Sequence, residues 1–136
     1  MTALVDTGFM LAYLAQNDKY HQPCREALSN KLNPLIPEAI LPELAYMVIR
    51  DLGYATFIIF MRTMLNNRQQ IIWTTEADLT RATDIMEQYA DSKIDFVDCV
   101  IMAIAERLNI TRILTIDQRH FRLFRPQHAE AFEILP

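Results

Sequence analysis

Four acidic residues stand where a mostly apolar chain has little structural use for charge: Asp6 after Ala3-Leu4-Val5, Glu43 in Leu41-Pro42-Glu43-Leu44, Asp98 inside Phe96-Val97-Asp98-Cys99-Val100, and Asp117 after Ile113-Leu114-Thr115-Ile116. Carboxylates brought together without a cation repel one another, so one stays protonated or the group separates. A hard divalent ion such as Mg2+ or Mn2+ removes that conflict, because it takes oxygen ligands and keeps exchangeable positions for water or phosphate. The chemistry this pattern points to is attack on a phosphodiester, with the ion polarising the phosphate and acidifying a water. Each acid also has an ordinary reading as a helix cap, turn or solvated residue. Asp98 resists that reading best, since charge in so apolar a stretch is costly unless paired or metal-bound.

These acids can meet only if the fold delivers them to one place. Residues 2–5 read as a short buried strand, with Asp6-Thr7-Gly8 as turn and cap before a helix from Phe9. Further helices are expected over 21–32, 38–52, 55–66, 76–89 and 96–108, the last capped by Asp95. Pro42 requires that the helix over 38–52 begin close to it. Strands are expected at 35–36, 70–74, 112–116 and 131–135. Such alternation predicts an α/β fold with a mainly parallel sheet of four to five strands, helices on both faces and right-handed crossovers. Asp6 and Asp117 then end strands while Glu43 and Asp98 lie in early helical turns. All four fall on the carboxyl edge, where open α/β sheets bind ligands.

The chain of 136 residues, 51% hydrophobic with 2 Gly and 6 Pro, is expected to form one domain spanning 1–136. Its longest apolar runs fall far short of the roughly 20 residues that cross a bilayer. No basic segment precedes an apolar one at the N-terminus, and Cys24 and Cys99 share no ligand or disulfide spacing, so a cytoplasmic protein with reduced thiols is expected. The net charge of -4 argues against general electrostatic binding of nucleic acid. Between Arg107 and His128, however, five arginines face one acid. Within that stretch Arg119, Arg122 and Arg125 alternate with Phe121 and Phe124, which suggests a local grip on an RNA backbone with a stacking surface. His21 and His120 receive no role.

Leu4-Val5-Asp6-Thr7-Gly8-Phe9-Met10-Leu11-Ala12, Pro42-Glu43-Leu44, Asp95-Phe96-Val97-Asp98-Cys99-Val100-Ile101-Met102-Ala103 and Ile113-Leu114-Thr115-Ile116-Asp117-Gln118-Arg119-His120-Phe121 together resemble PIN-domain ribonucleases, most of all the toxins of VapBC-type toxin–antitoxin modules. The resemblance covers nearly the whole chain. It implies a three-layer α/β/α sandwich in which Asp6, Glu43, Asp98 and Asp117 are catalytic and hold Mg2+ or Mn2+ to cut RNA. It also implies a homodimer silenced by a small cognate antitoxin. Asp6 and Asp98 are the expected direct ligands, with Asp117 next and Glu43 acting on the metal or the attacking water. Thr7 and Thr115 are expected to hydrogen-bond these carboxylates and fix their rotamers. Asp95 is expected to lie beside them, as a cap more readily than as a ligand. Met47, Met61, Met64 and Met102 are expected in core or dimer contacts, and the apolar helix after Asp98 needs cover on more than one side, with the sheet and a second subunit as candidate sources. The competing functions are a non-catalytic PIN-like module that binds RNA or protein, which predicts a missing acid, and a phosphoacceptor domain, which wants a late lysine that this chain lacks.

Overall fold

A computed structural model describes residues 1–29, 31–67 and 70–136. Among them five strands, β1 (Thr2–Val5), β2 (Asn33–Pro37), β3 (Ile71–Ile72), β4 (Arg112–Leu114) and β5 (Glu133–Leu135), form one parallel sheet in the order β3-β2-β1-β4-β5. The helices are α1 (Thr7–Leu14), α2 (His21–Ser29), α3 (Leu41–Leu52), α4 (Tyr54–Asn66), α5 (Glu76–Gln88), α6 (Phe96–Leu108) and α7 (Arg119–Leu123). Right-handed crossovers send α1 to α4 to one face and α5 to α7 to the other, because the chain builds leftward from β1 first and then returns to its right. The packing agrees: α1 touches α2 and α3, α3 touches α4, and α6 touches α5 and α7. This is the expected three-layer architecture.

The strands form where β-branched and aliphatic residues run together. Ala3, Leu4 and Val5 of β1, the central strand, and Ile113 and Leu114 of β4 are fully buried, as parallel strands covered on both faces must be. Several elements are shorter than the sequence suggests. β3 keeps only Ile71–Ile72 of the expected 70–74, β4 ends at Leu114, and β5 starts at Glu133. α2 stops at Ser29, and Lys31 is left-handed (φ 61°); Asn30, inside the expected helix, lies outside the described residues. The helix expected over 38–52 divides into a 3-10 turn, Glu38–Ile40, and α3, which puts Pro42 in the first turn where its missing N–H costs nothing. Gly53 links α3 to α4 at φ 101°, a backbone angle that side-chain-bearing residues rarely adopt.

The cover that α6 needs on more than one side comes from within the chain. Cys99 through Ala105 are all buried within the single chain, and α6 packs against α5, α7 and the Glu38–Ile40 turn. Two ion pairs close the α5–α6 seam. Arg107 donates bidentately to Asp78, and Arg81 to Glu106. Met102 is in the core, while Met47, Met61 and Met64 are half-buried. Cys24 and Cys99 are buried and unpaired.

Candidate active site

The connection after β1 runs to β2 on one side and the connection after β4 runs to β5 on the other, so a crevice opens beyond the carboxyl ends of β1 and β4. Asp6, Glu43, Asp95, Asp98 and Asp117 line this cleft, whose volume is about 500 Å³, together with Thr7, Asp18, Tyr20, Arg50 and His120. All four expected acids therefore reach one place, from four separate segments.

Asp6 is both the residue after β1 and the N-cap of α1. Its Oδ1 accepts the Phe9 N–H at 2.9 Å, and its own N–H donates to the Leu114 carbonyl at 3.1 Å. The β1–β4 register, with Val5 opposite Leu114, sets Thr115 beside it. The Thr115 hydroxyl is hydrogen-bonded to Asp6 Oδ2 and also lies 3.0 Å from the Asp117 carbonyl. One hydroxyl proton cannot serve two acceptors fully. If Asp6 carries a proton, the chain Asp6 O–H to Thr115 Oγ1 to Asp117 carbonyl uses each proton once. Burial, reinforced by repulsion from Asp98 and Asp117 and partly offset by the Thr115 and Phe9 hydrogen bonds, pushes the Asp6 carboxyl from 3.8 to about 7.

Asp98 occupies the third position of α6. Burial pushes its carboxyl up to about 6, helped by the negative charges of Asp95 and Asp117 and opposed by a hydrogen bond from His120. His120 Nδ1 is 3.1 Å from Asp98 Oδ2. Two neighbouring carboxyls held above their ordinary range, with no Arg or Lys bonded to either among the described residues, are a set of hard oxygen donors short of positive charge. Their donor chemistry fits a divalent cation. As they stand, no three His, Cys, Asp or Glu side chains among the described residues are gathered closely enough to hold an ion. What the fold supplies is carboxylates that share a cleft and raise one another's proton affinity.

Asp117 and Glu43 are exposed on the cleft wall. Thr115 makes the expected contact with a carboxylate, whereas Thr7 makes none among the described residues although it is buried at the cleft. Asp95 stands at the N-cap of α6 but makes no capping hydrogen bond; its exposed carboxylate faces the cleft.

The arginine and phenylalanine alternation resolves differently from the expectation. Phe121 and Phe124 are 1% and 0% exposed and pack with Phe132 and Tyr89, so they offer no stacking surface. α7 turns residues three apart to one side, which sends both rings into the core. None of Arg119, Arg122 and Arg125 lines the cleft. Arg122 donates to Gln118, Arg125 to the Arg122 and Phe124 carbonyls, and Arg119 Nη2 approaches His120 Nε2 at 3.3 Å. His120 is therefore the site residue that sequence reasoning missed. Its partner Asp98 lies 22 residues away in sequence, so no local pattern marks it.

Fold and cleft together define an α/β protein with an acidic site at a sheet switch point. Residues 3–125 match the PIN domain family, and the chain belongs to that family. It is 25% identical over 134 residues to Ribonuclease VapC26 of Mycobacterium tuberculosis, covering 98% of this chain and 99% of that one. Its fold is similar to that of VapC20 of M. tuberculosis, described as a toxin cleaving the sarcin-ricin loop (TM-score 0.72, 16% identity, 83% of this chain and 87% of that one). It is also similar to a chain of Rickettsia felis VapBC2 bound to a promoter DNA fragment (0.71, 17%, 100% of both) and to one of Neisseria gonorrhoeae FitAcB (0.64, 16%, 87% and 88%).

Proposed function

We propose that this chain is a divalent-metal-dependent endoribonuclease and the toxin of a VapBC-type pair. The observation that carries the reading is the convergence of Asp6, Glu43, Asp98 and Asp117 on one cleft, with Asp6 and Asp98 raised by burial and by neighbouring charge. Likeness to a named ribonuclease over nearly the whole chain supports it. Asp6 and Asp98 would hold Mg2+ or Mn2+, with Asp117 beside them. When bound, the cation supplies charge neutralisation at the scissile phosphate and acidifies an attacking water. The chain's own residues do the rest. Thr115 and the Phe9 N–H fix the Asp6 carboxylate, and Glu43, on the cleft lining, orients water.

An exposed apolar face on α3 and α4 supports association with protein. Tyr46, Tyr54 and Ile59 are each about two-thirds exposed, and Ile49, Phe57, Ile58, Met61 and Leu65 line a groove of about 470 Å³ between the helices. A continuous apolar surface of this kind is what a small cognate antitoxin or a second copy of the chain would cover. No helix among the described residues is long and apolar enough to cross a membrane, and we place the protein in the cytoplasm, where its RNA substrate resides.

The test is RNA cleavage with Mg2+ or Mn2+, with and without chelator, by wild type, Asp6→Asn and Asp98→Asn. Metal-dependent cleavage lost in both folded variants is expected. Variants that fold and cut as well as wild type would overturn the assignment.

A further inference from the structure

His120 is 9% exposed, at the second position of α7, and that helix is pinned by the buried Phe121 and Phe124. The ring's orientation is thus set by the core. An arginine can only donate, so Arg119 Nη2, 3.3 Å from Nε2, requires a lone pair on that nitrogen. The neutral ring's proton then sits on Nδ1, 3.1 Å from Asp98 Oδ2. Among the described residues this is the one side-chain hydrogen bond that Asp98 receives, and its Oδ1 takes none.

We propose that His120 is a positioning residue for Asp98, its Nδ1–H fixing one carboxylate oxygen so that the other is presented to the cleft cation, with Arg119 selecting the tautomer that makes this possible. The proposal rests on the reading of the cleft as a cation site given above. An imidazole that donates to a ligating carboxylate limits its rotation and directs its free lone pairs, and groups in this position change metal affinity about 10- to 100-fold. His120 does not touch substrate or cation. Its effect therefore falls first on ion affinity in the absence of RNA, and on kcat only through the occupancy of the site. Arg119 acts one step further out. Its removal leaves both tautomers open to His120 and weakens the ion less than loss of the ring.

The experiment is titration of RNA-free protein with Mn2+, read by calorimetry and by the loss of the free-ion paramagnetic resonance signal, with thermal melts to verify folding. His120→Phe should bind Mn2+ about 10-fold more weakly than wild type. His120→Asn, whose carboxamide N–H reaches the position of Nδ1, should recover most of that loss, and Arg119→Ala should fall between wild type and His120→Phe. A folded His120→Phe that binds Mn2+ as wild type does, while Asp98→Asn does not, overturns the role of His120 and leaves the cation site standing. A wild type that takes up no Mn2+ removes both. Should His120→Phe fail to fold, Asn and Gln decide. Gln extends its N–H toward the Nε2 position and should bind Mn2+ more weakly than Asn, and equal affinities overturn the proposal.

Discussion

Replacing Asp6 with asparagine should stabilise the metal-free protein, by an amount that grows with pH. The buried carboxyl titrates at about 7 in the fold and near its ordinary 3.8 in the unfolded chain. Between those values the folded state binds the extra proton, so unfolding free energy falls as pH rises, by about 1.4 kcal/mol per pH unit for a single group. Above pH 7 or so the penalty is complete, and below about pH 4 it vanishes. From about pH 5 to about pH 8 Asp6 alone should cost the wild type about 2–3 kcal/mol. Asparagine escapes this cost with its contacts intact. Its carbonyl accepts the Phe9 N–H, since Asn is a good N-cap, and its NH2 donates to Thr115, which then donates to the Asp117 carbonyl. Urea unfolding in chelator at about pH 5, 6, 7 and 8 would read the effect. The difference between variant and wild type should widen across that series by about 2 kcal/mol or more, and Mg2+ should stabilise only the wild type. Parallel pH dependences, or an Asp6→Asn protein less stable than wild type at the alkaline end, would refute the buried-charge reasoning.

Thr115→Val removes the hydroxyl that holds Asp6 Oδ2 and should cost about 1–3 kcal/mol while weakening Mn2+ binding, measured by denaturation and calorimetry. Phe124→Ala should cost about 3–5 kcal/mol with little change in the RNA affinity of the folded protein, which filter binding beside urea melts would check; a selective loss of RNA binding would restore the stacking role that burial denies. Ile59→Glu on the exposed face of α4 should change stability by about 0.5 kcal/mol or less yet weaken capture of the cognate antitoxin, with RNA cleavage by the free protein unchanged.

What could be read from the sequence was what a local run of residues determines. β1 and β4 announce themselves by consecutive buried aliphatics, and the acids that follow them had to lie on the carboxyl edge once the strands were parallel. α7 was not legible, because five residues with no cap and no apolar period beyond one turn give no helical signal. Its absence from the reading caused the error that followed. Alternating Arg and Phe look like an exposed composite surface in an extended segment, but on a helix the same spacing sorts Phe121 and Phe124 inward and leaves Arg119 and Arg122 outside. His120 was hidden for another reason. Its meaning lies in a hydrogen bond to Asp98 across the cleft, and no property of the local sequence marks a histidine for a partner on a different helix. Asp95 was legible as the N-cap of α6 from its type and position, although its side chain makes no capping hydrogen bond there.

The acids of the cleft divide into an inner and an outer pair, and the division bears on how the site works. Asp6 and Asp98 are held by Thr115, the Phe9 N–H and His120. The carboxylates of Asp117 and Glu43 are exposed and accept no hydrogen bond among the described residues, the Thr115 hydroxyl reaching only the Asp117 backbone carbonyl. A structural requirement does not explain the inner pair. Asparagine would cap α1 as well as Asp6 does, and no capping contact depends on Asp98. What aspartate adds at both positions is negative charge that burial makes costly, and only a partner of opposite sign offsets that cost. Among the described residues no Arg or Lys bonds either carboxyl, and Arg50, which lines the cleft, is paired with Asp51 at 2.7 Å. A proton relieves that cost at lower pH, and on the reading proposed above a bound cation would relieve it once the carboxyls ionise. On that reading the outer pair, free to change rotamer, would let the site gather around a cation without locking it into a closed shell, leaving room for water and phosphate.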